Sequence, residues 1–302
     1  ISHKKIYFMK FSGYNFLFKD SKNYDWIIFF RISFGIFILL HFISILPDFT
    51  ALFSTQGVIP SDVLDVYIPN FVITIPKIIS FFSDLGVGEA AVLLLFKIIY
   101  ILLSVFVIVG FYPRTVAFVL LFLQISLIKG SSFYAYGVDY FTSMSLFYLL
   151  LIPSHYKLSV HAFFNNQIKR INITPYRRLF QLHLTLVYFF SGFDKVLGFN
   201  WRNGESIWKA INLPSANQDF NFDFSFLTDY PIILVALGWL TIIIEMFYPL
   251  FIWMSISRQF WLFLIISMHL GIALVLNLYF FSTLMIIWNI TNFYFVKNEA
   301  TH

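Results

Sequence analysis

Long apolar runs of about 20 residues, separated by short polar stretches, recur along this chain. A run of that length crosses the hydrocarbon core of a bilayer as an α-helix. Spans are predicted at 26–46, 88–111, 114–130, 138–153, 179–195, 231–254, 259–276 and 279–296, about eight in all. The breaks FYPRT and SISRQ are too short for anything but tight turns, so 88–130 and 231–276 read as antiparallel helical hairpins. Two breaks are long. Residues 47–87 and 196–230 are rich in aromatic residues, Pro and Asp, and are expected to cap one end of the bundle, with short interfacial helices near 60–68 and 70–83. The opening ISHKKIYFMKFSGYNF is basic and aromatic without a continuous apolar core, which suits a segment lying on the membrane surface. The expected organisation is an amphipathic segment at 1–25 followed by one transmembrane domain at 26–297.

Composition agrees with a lipid solvent. Of 302 residues, 59% are hydrophobic and only 12% charged, with a mean hydropathy of +0.80. Ordinary soluble domains carry about a quarter charged residues, so this chain is expected to be an all-α integral membrane protein. It has no Cys, which removes disulfides, thiolate catalysis and Cys-ligated metal centres.

Charge then suggests an orientation. Lys4, Lys5, Lys10, Lys19, Lys22, Arg114, Lys157, Lys169, Arg170, Arg177, Arg178, Arg258 and Lys297 fall on one side of the predicted spans. Lys77, Lys129, Lys195, Arg202 and Lys209 fall on the other. Basic loops stay in the cytoplasm, so both termini are expected there and the two long loops outside. The net charge of +5 is scattered over short loops, and no nucleic-acid partner is needed to explain it.

Polar residues inside the runs are the candidate chemistry. Arg31, His41, Lys97, Gln124, His183, Glu245 and His269 all lie at predicted membrane depth. An ionised group there costs about 2.5–3.5 kcal/mol or more, so each should face the bundle interior with a partner. Glu245 is the one carboxylate deep in a predicted span, and pairing with Arg31 or Lys97 is expected, the Arg31–Glu245 pair first. The three histidines sit singly on different spans, which favours interhelical hydrogen bonds over metal or haem ligation, and no metal is expected. No Gly-rich phosphate loop, no GxSxG turn and no paired acidic cluster is present.

One stretch stands apart: YFFSGFDKVLGFNWRNGESI, where an apolar helix runs into Asp194 and Lys195 and then into Trp201. It resembles the vitamin K-dependent gamma-carboxylases and their bacterial relatives, the horizontally transferred transmembrane domain family, with Tyr188, Gly192, Lys195, Trp201 and Gly204 matching in order. SMHLGIALVLNLYFFSTLMI, with His269 and Phe281-Ser282, and SSFYAYGVDYF, with Tyr134, Tyr136 and Gly137, are similar to two further pieces. In the second of these, Ser132 stands where the carboxylases carry a histidine. The chain ends about six residues after its last predicted span, so a divergent bacterial member without the soluble carboxylase domain is expected.

The resemblance implies that Lys195 is a base that deprotonates a reduced quinone of the menaquinone or vitamin K type, with His269 as a second catalytic group. It implies quinone or lipid binding by Tyr136, Tyr188 and Trp201, and a quinol-dependent carboxylase- or epoxidase-like activity. The residues alone also fit a non-catalytic integral subunit packed against other membrane proteins, with Lys195 as an interfacial anchor. A transporter is disfavoured, since no inverted repeat or pair of broken midplane helices is evident. Membrane lipid, a quinone and other membrane subunits are thus the expected partners. The bacterial inner membrane is the expected location.

Overall fold

A computed structural model describes residues 13–18, 23–69, 71–154, 158–160, 163 and 171–296. Most of the expected surface segment at 1–25 lies outside the described residues. So do Lys157, Lys169, Arg170 and Lys297. The described residues are helical, and no strand occurs among them.

Five helices are long and apolar enough to cross a membrane: α2 (Asp25–Ser44), α6 (Glu89–Val109), α7 (Pro113–Gly130), α12 (Pro231–Phe251) and α13 (Arg258–Leu276). The other three predicted spans are also helices, with different properties. α8 (Gly137–Leu151) has 15 residues. α9 (Thr174–Leu197) has 24 but carries Arg177, Arg178, Gln181, His183, Asp194 and Lys195. α14 (Tyr279–Asn289) has 11 and continues as a π-helical turn over Ile290–Tyr294. Short helices fill the expected caps: α3 (Phe49–Phe53), α4 (Ser61–Tyr67) and α5 (Ile75–Ser83) in the first long loop, then α10 (Phe199–Arg202) and α11 (Glu205–Ile211) in the second. α1 (Gly13–Phe18) precedes the bundle.

The hairpins form for local reasons. α6 ends at Gly110, which takes the left-handed conformation (φ 72°) that glycine adopts without strain. Pro113 then opens α7 at a position where its missing N–H costs nothing. Arg31 of α2 is fully buried against this turn and donates to the carbonyl oxygens of Val107, Ile108 and Leu158. The orphan carbonyls at a helix C-terminus carry partial negative charge, and five guanidinium donors suit them. That placement overturns the expected Arg31–Glu245 ion pair, because Arg31 is spent on α6. Lys97 does not pair with Glu245 either; its ammonium lies 5.1 Å from the centre of the Phe49 ring.

α14 runs through the middle of the bundle, packing against α2, α8 and α13. Its Trp288 is fully buried, meets Phe141, Tyr148 and Phe180 edge to face, and donates from Nε1 to Ser145 Oγ at 2.8 Å. The first two turns of α9 are anchored to the same strip: Arg177 and Gln181 both donate to the carbonyl of Asn292, at 3.1 and 2.6 Å.

α9 and α12 pack against each other over a long contact and approach closely. Gly192 lies so near α12 that a Cβ there would stand 2.6 Å from the backbone nitrogen of Met246. Gly192→Ala is expected to destabilise the protein by about 1–3 kcal/mol through overpacking, seen as a lowered Tm in detergent. Gly271→Ala, where nothing lies within 4 Å, should leave Tm unchanged.

Candidate functional site

The end of α9 and the start of the following loop are shaped by three glycines on α12 and against it. Gly192 admits the backbone of Glu245 and Met246. Gly238 of α12 admits the carbonyl oxygen of Trp201, which would lie 2.3 Å from a Cβ. Gly204 (φ 84°) presses against Leu234 and Val235. Gly192 and Gly204 of the sequence motif are therefore contact points at which only a bare backbone fits. Pro249 adds to this: it removes the amide that would bond the carbonyl of Glu245 one turn earlier in α12.

This packing brings Lys195 onto Glu245. The ammonium donates to Glu245 Oε2 and to Ser191 Oγ, each at 2.6 Å, and lies 5.0 Å from the centre of the Trp201 ring. The side chains are 16% and 8% exposed, so the pair is largely dehydrated. A lysine serving only as an interfacial anchor would send its ammonium toward water. Lys195 instead turns inward, while Asp194 beside it is exposed.

A second polar group lies alongside. Tyr248 OH donates to Asn289 Oδ1 at 2.7 Å, and Asn289 Nδ2 donates to Tyr188 OH at 2.7 Å. Tyr188 OH in turn lies 2.8 Å from His269 Nε2. With Asn289 donating into the hydroxyl, the tyrosine proton is directed at His269 Nε2, and a neutral His269 then carries its own proton on Nδ1. That Nδ1 is buried and has no hydrogen-bond partner among the described residues. The His269 ring meets Phe281 at 6.0 Å, and Phe281 packs against Gly137, where a Cβ would stand 3.0 Å from it.

Apart from Arg31, the predicted site residues sit in three settings. Lys195 and Trp201 share one niche with Glu245. Tyr188 and His269 form the adjoining network. Tyr136 stands on the loop before α8, half-exposed, its backbone N–H donating to Asp139 Oδ2 at 3.0 Å. Partial burial, and then the Asp139 charge, push the Tyr136 phenol up to about 12 and keep it protonated at neutral pH.

His183 bonds across helices to Tyr148 OH at 2.8 Å, and His41 stacks on Phe37 and lies tilted against Phe280. Ser191, Tyr248 and Asn289 belong to the site and were not singled out in the sequence. Ser191 is one helical turn before Lys195 and Tyr248 three residues after Glu245, spacings that place each pair on one face. Asn289 is a lone amide in an apolar run. Among the described residues no three His, Asp or Glu side chains gather as a metal site.

Apolar helices of spanning length around a buried ion pair and a buried tyrosine–histidine network define a polytopic helical membrane protein. A family model described as the HTTM domain matches residues 70–298, and the chain belongs to that family, whose membrane domain is found in vitamin K-dependent gamma-carboxylases. The match takes in Lys195, Glu245 and His269 and leaves out α2. No curated protein and no solved structure gives a significant match.

Removing one member of a buried pair strands the other charge, so Glu245→Gln is expected to cost about 3–5 kcal/mol of stability. Lys195→Met combined with Glu245→Leu should recover most of that loss. Chemical denaturation in detergent reads both. In the same assay Asp194→Asn, at an exposed position, should change stability by no more than about 0.5 kcal/mol. Tyr188→Phe leaves Asn289 and His269 without a shared partner and should cost about 1–3 kcal/mol.

Proposed function

We propose that this HTTM protein binds a reduced quinone, or a lipid of like polarity, at the Lys195–Glu245 niche, which is reached from the extracytoplasmic face of a bacterial inner membrane. The observation that carries the reading is the Lys195 ammonium held between Glu245 and Ser191 beneath the Trp201 ring. A reduced quinone supplies an acidic ring hydroxyl and two electrons. Were such a ring bound here, the Glu245 carboxylate would be the group to accept a hydroxyl proton, and the Lys195 ammonium beside it would offset the negative charge left behind. Trp201 offers an aromatic face for a planar ring. The Tyr188–His269 pair holds the adjoining wall through hydrogen bonds made within the protein.

A second reading has its own support. Glu245 and Ser191 already satisfy Lys195 from inside, so the same pair clamps α9 to α12 whether or not anything binds. That arrangement fits a non-catalytic subunit of a larger membrane complex.

Mass spectrometry of lipids and quinones that copurify with the gently extracted protein separates the two. Quinone retained by the wild type, lost from Lys195→Ala and reduced in Trp201→Leu, which leaves the ion pair intact, is the expected result. No quinone in the wild type, with other membrane subunits copurifying, would overturn the quinone reading in favour of the subunit.

A further inference from the structure

α12 is 21 residues long, about 31 Å at about 1.5 Å per residue, which matches a hydrocarbon core of about 30 Å. Glu245 therefore lies about 21 Å along the helix from Pro231 and about 9 Å from Phe251. Lys195 is bonded to it directly, so α9 has its last turn well inside the membrane. The chain does not leave the bilayer there as a helix. It breaks at Gly198, and α10 settles on α12 at Gly238, about 10 Å along from Pro231. Gly204 then rests against Leu234 and Val235, and α11 follows. Residues 198–204 thus rise along the first half of α12 in short, broken turns.

Several of their side chains do not suit lipid: Asn200, Arg202 and Asn203 are exposed, as are Asp194 before them and Lys209 after, alongside the exposed apolar Leu197 and Phe199. Charged groups and irregular backbone are tolerated at membrane depth only where they are buried in protein or line a water-filled space. We infer that this segment lines a water-filled vestibule, open on the side of the membrane where α9 ends and reaching down to Asp194 and the Lys195–Glu245 pair. The vestibule gives water-soluble molecules a route to Lys195. The exposed Phe190 and Phe193, on the same turns of α9, face lipid and offer a separate approach. The inference rests on helix geometry and exposure and holds whatever binds at Lys195.

The absence of Cys from the chain makes the test direct. Single cysteines are placed by Asp194→Cys, by Asn200→Cys, and by Leu102→Cys at a half-exposed position in the middle of α6. Each is treated, in intact cells and in inverted membrane vesicles, with a membrane-impermeant cationic methanethiosulfonate. Modification needs the thiolate, which forms in water and not in lipid, so Asp194→Cys and Asn200→Cys should react at least about tenfold faster than Leu102→Cys, from one and the same side. Asn200→Cys keeps the test decisive if Asp194→Cys fails to fold, and labelling in denaturing detergent confirms each thiol is present. Rates as slow as Leu102→Cys, with labelling only by a lipid-soluble maleimide, would overturn the vestibule. So would modification seen only after detergent extraction, which would mean another protein covers this face. Neither result bears on whether quinone copurifies, so the two readings can fail separately.

Discussion

The contact between α9 and α12 at Gly192 is the constraint on which the rest of the site depends. Two helices can share a bonded ion pair at membrane depth only if their backbones come close enough for short reach and little water. Gly192 supplies that closeness by having no side chain at the crossing. Lys195 then reaches Glu245 and Ser191 at 2.6 Å, and neither charge is left alone in a medium where isolation is costly. Beyond the break at Gly198, the seat of Trp201 on Gly238 and the turn at Gly204 follow the same line of contact along α12.

The buried polar groups are handled in two different ways. Near the start of α2 and α9, arginines donate to backbone carbonyls: Arg31 to the end of α6, and Arg177 to the π-turn after α14. These contacts use the orphan acceptors that helix ends present, and they place positive charge where the helix dipole is negative. Toward the end of α9 the bonds run between side chains, from Tyr248 through Asn289 and Tyr188 to His269, beside the Lys195–Glu245 pair. The first arrangement holds helices together. The second leaves groups that take or give protons next to one another, which is why chemistry is sought there.

Family membership and geometry bear on separate questions. The HTTM match covers the helices that carry the site. The geometry adds that the motif lysine is already paired, that the motif glycines are packing positions, and that Phe281 lies between His269 and Gly137, the neighbour of Tyr136.

What the sequence determined by itself was the solvent, the helical class and the approximate position of each long helix, because apolar runs of spanning length have few other ways to fold. It also identified which residues had to be satisfied inside the bundle, since a charge or amide in an apolar run stands out without any structure. Partner choice was a different matter. Arg31 and Glu245 looked like natural partners as opposite charges at membrane depth, yet Arg31 met a helix end and Glu245 met Lys195. Which groups fall within 3 Å of one another depends on how helices cross, and crossing is set by the shape of the contact, here a missing Cβ at Gly192 and another at Gly238. Ser191, Tyr248 and Asn289 were silent for the same reason: each is ordinary in its own helix, and only the packing of α9, α12 and α14 makes them neighbours.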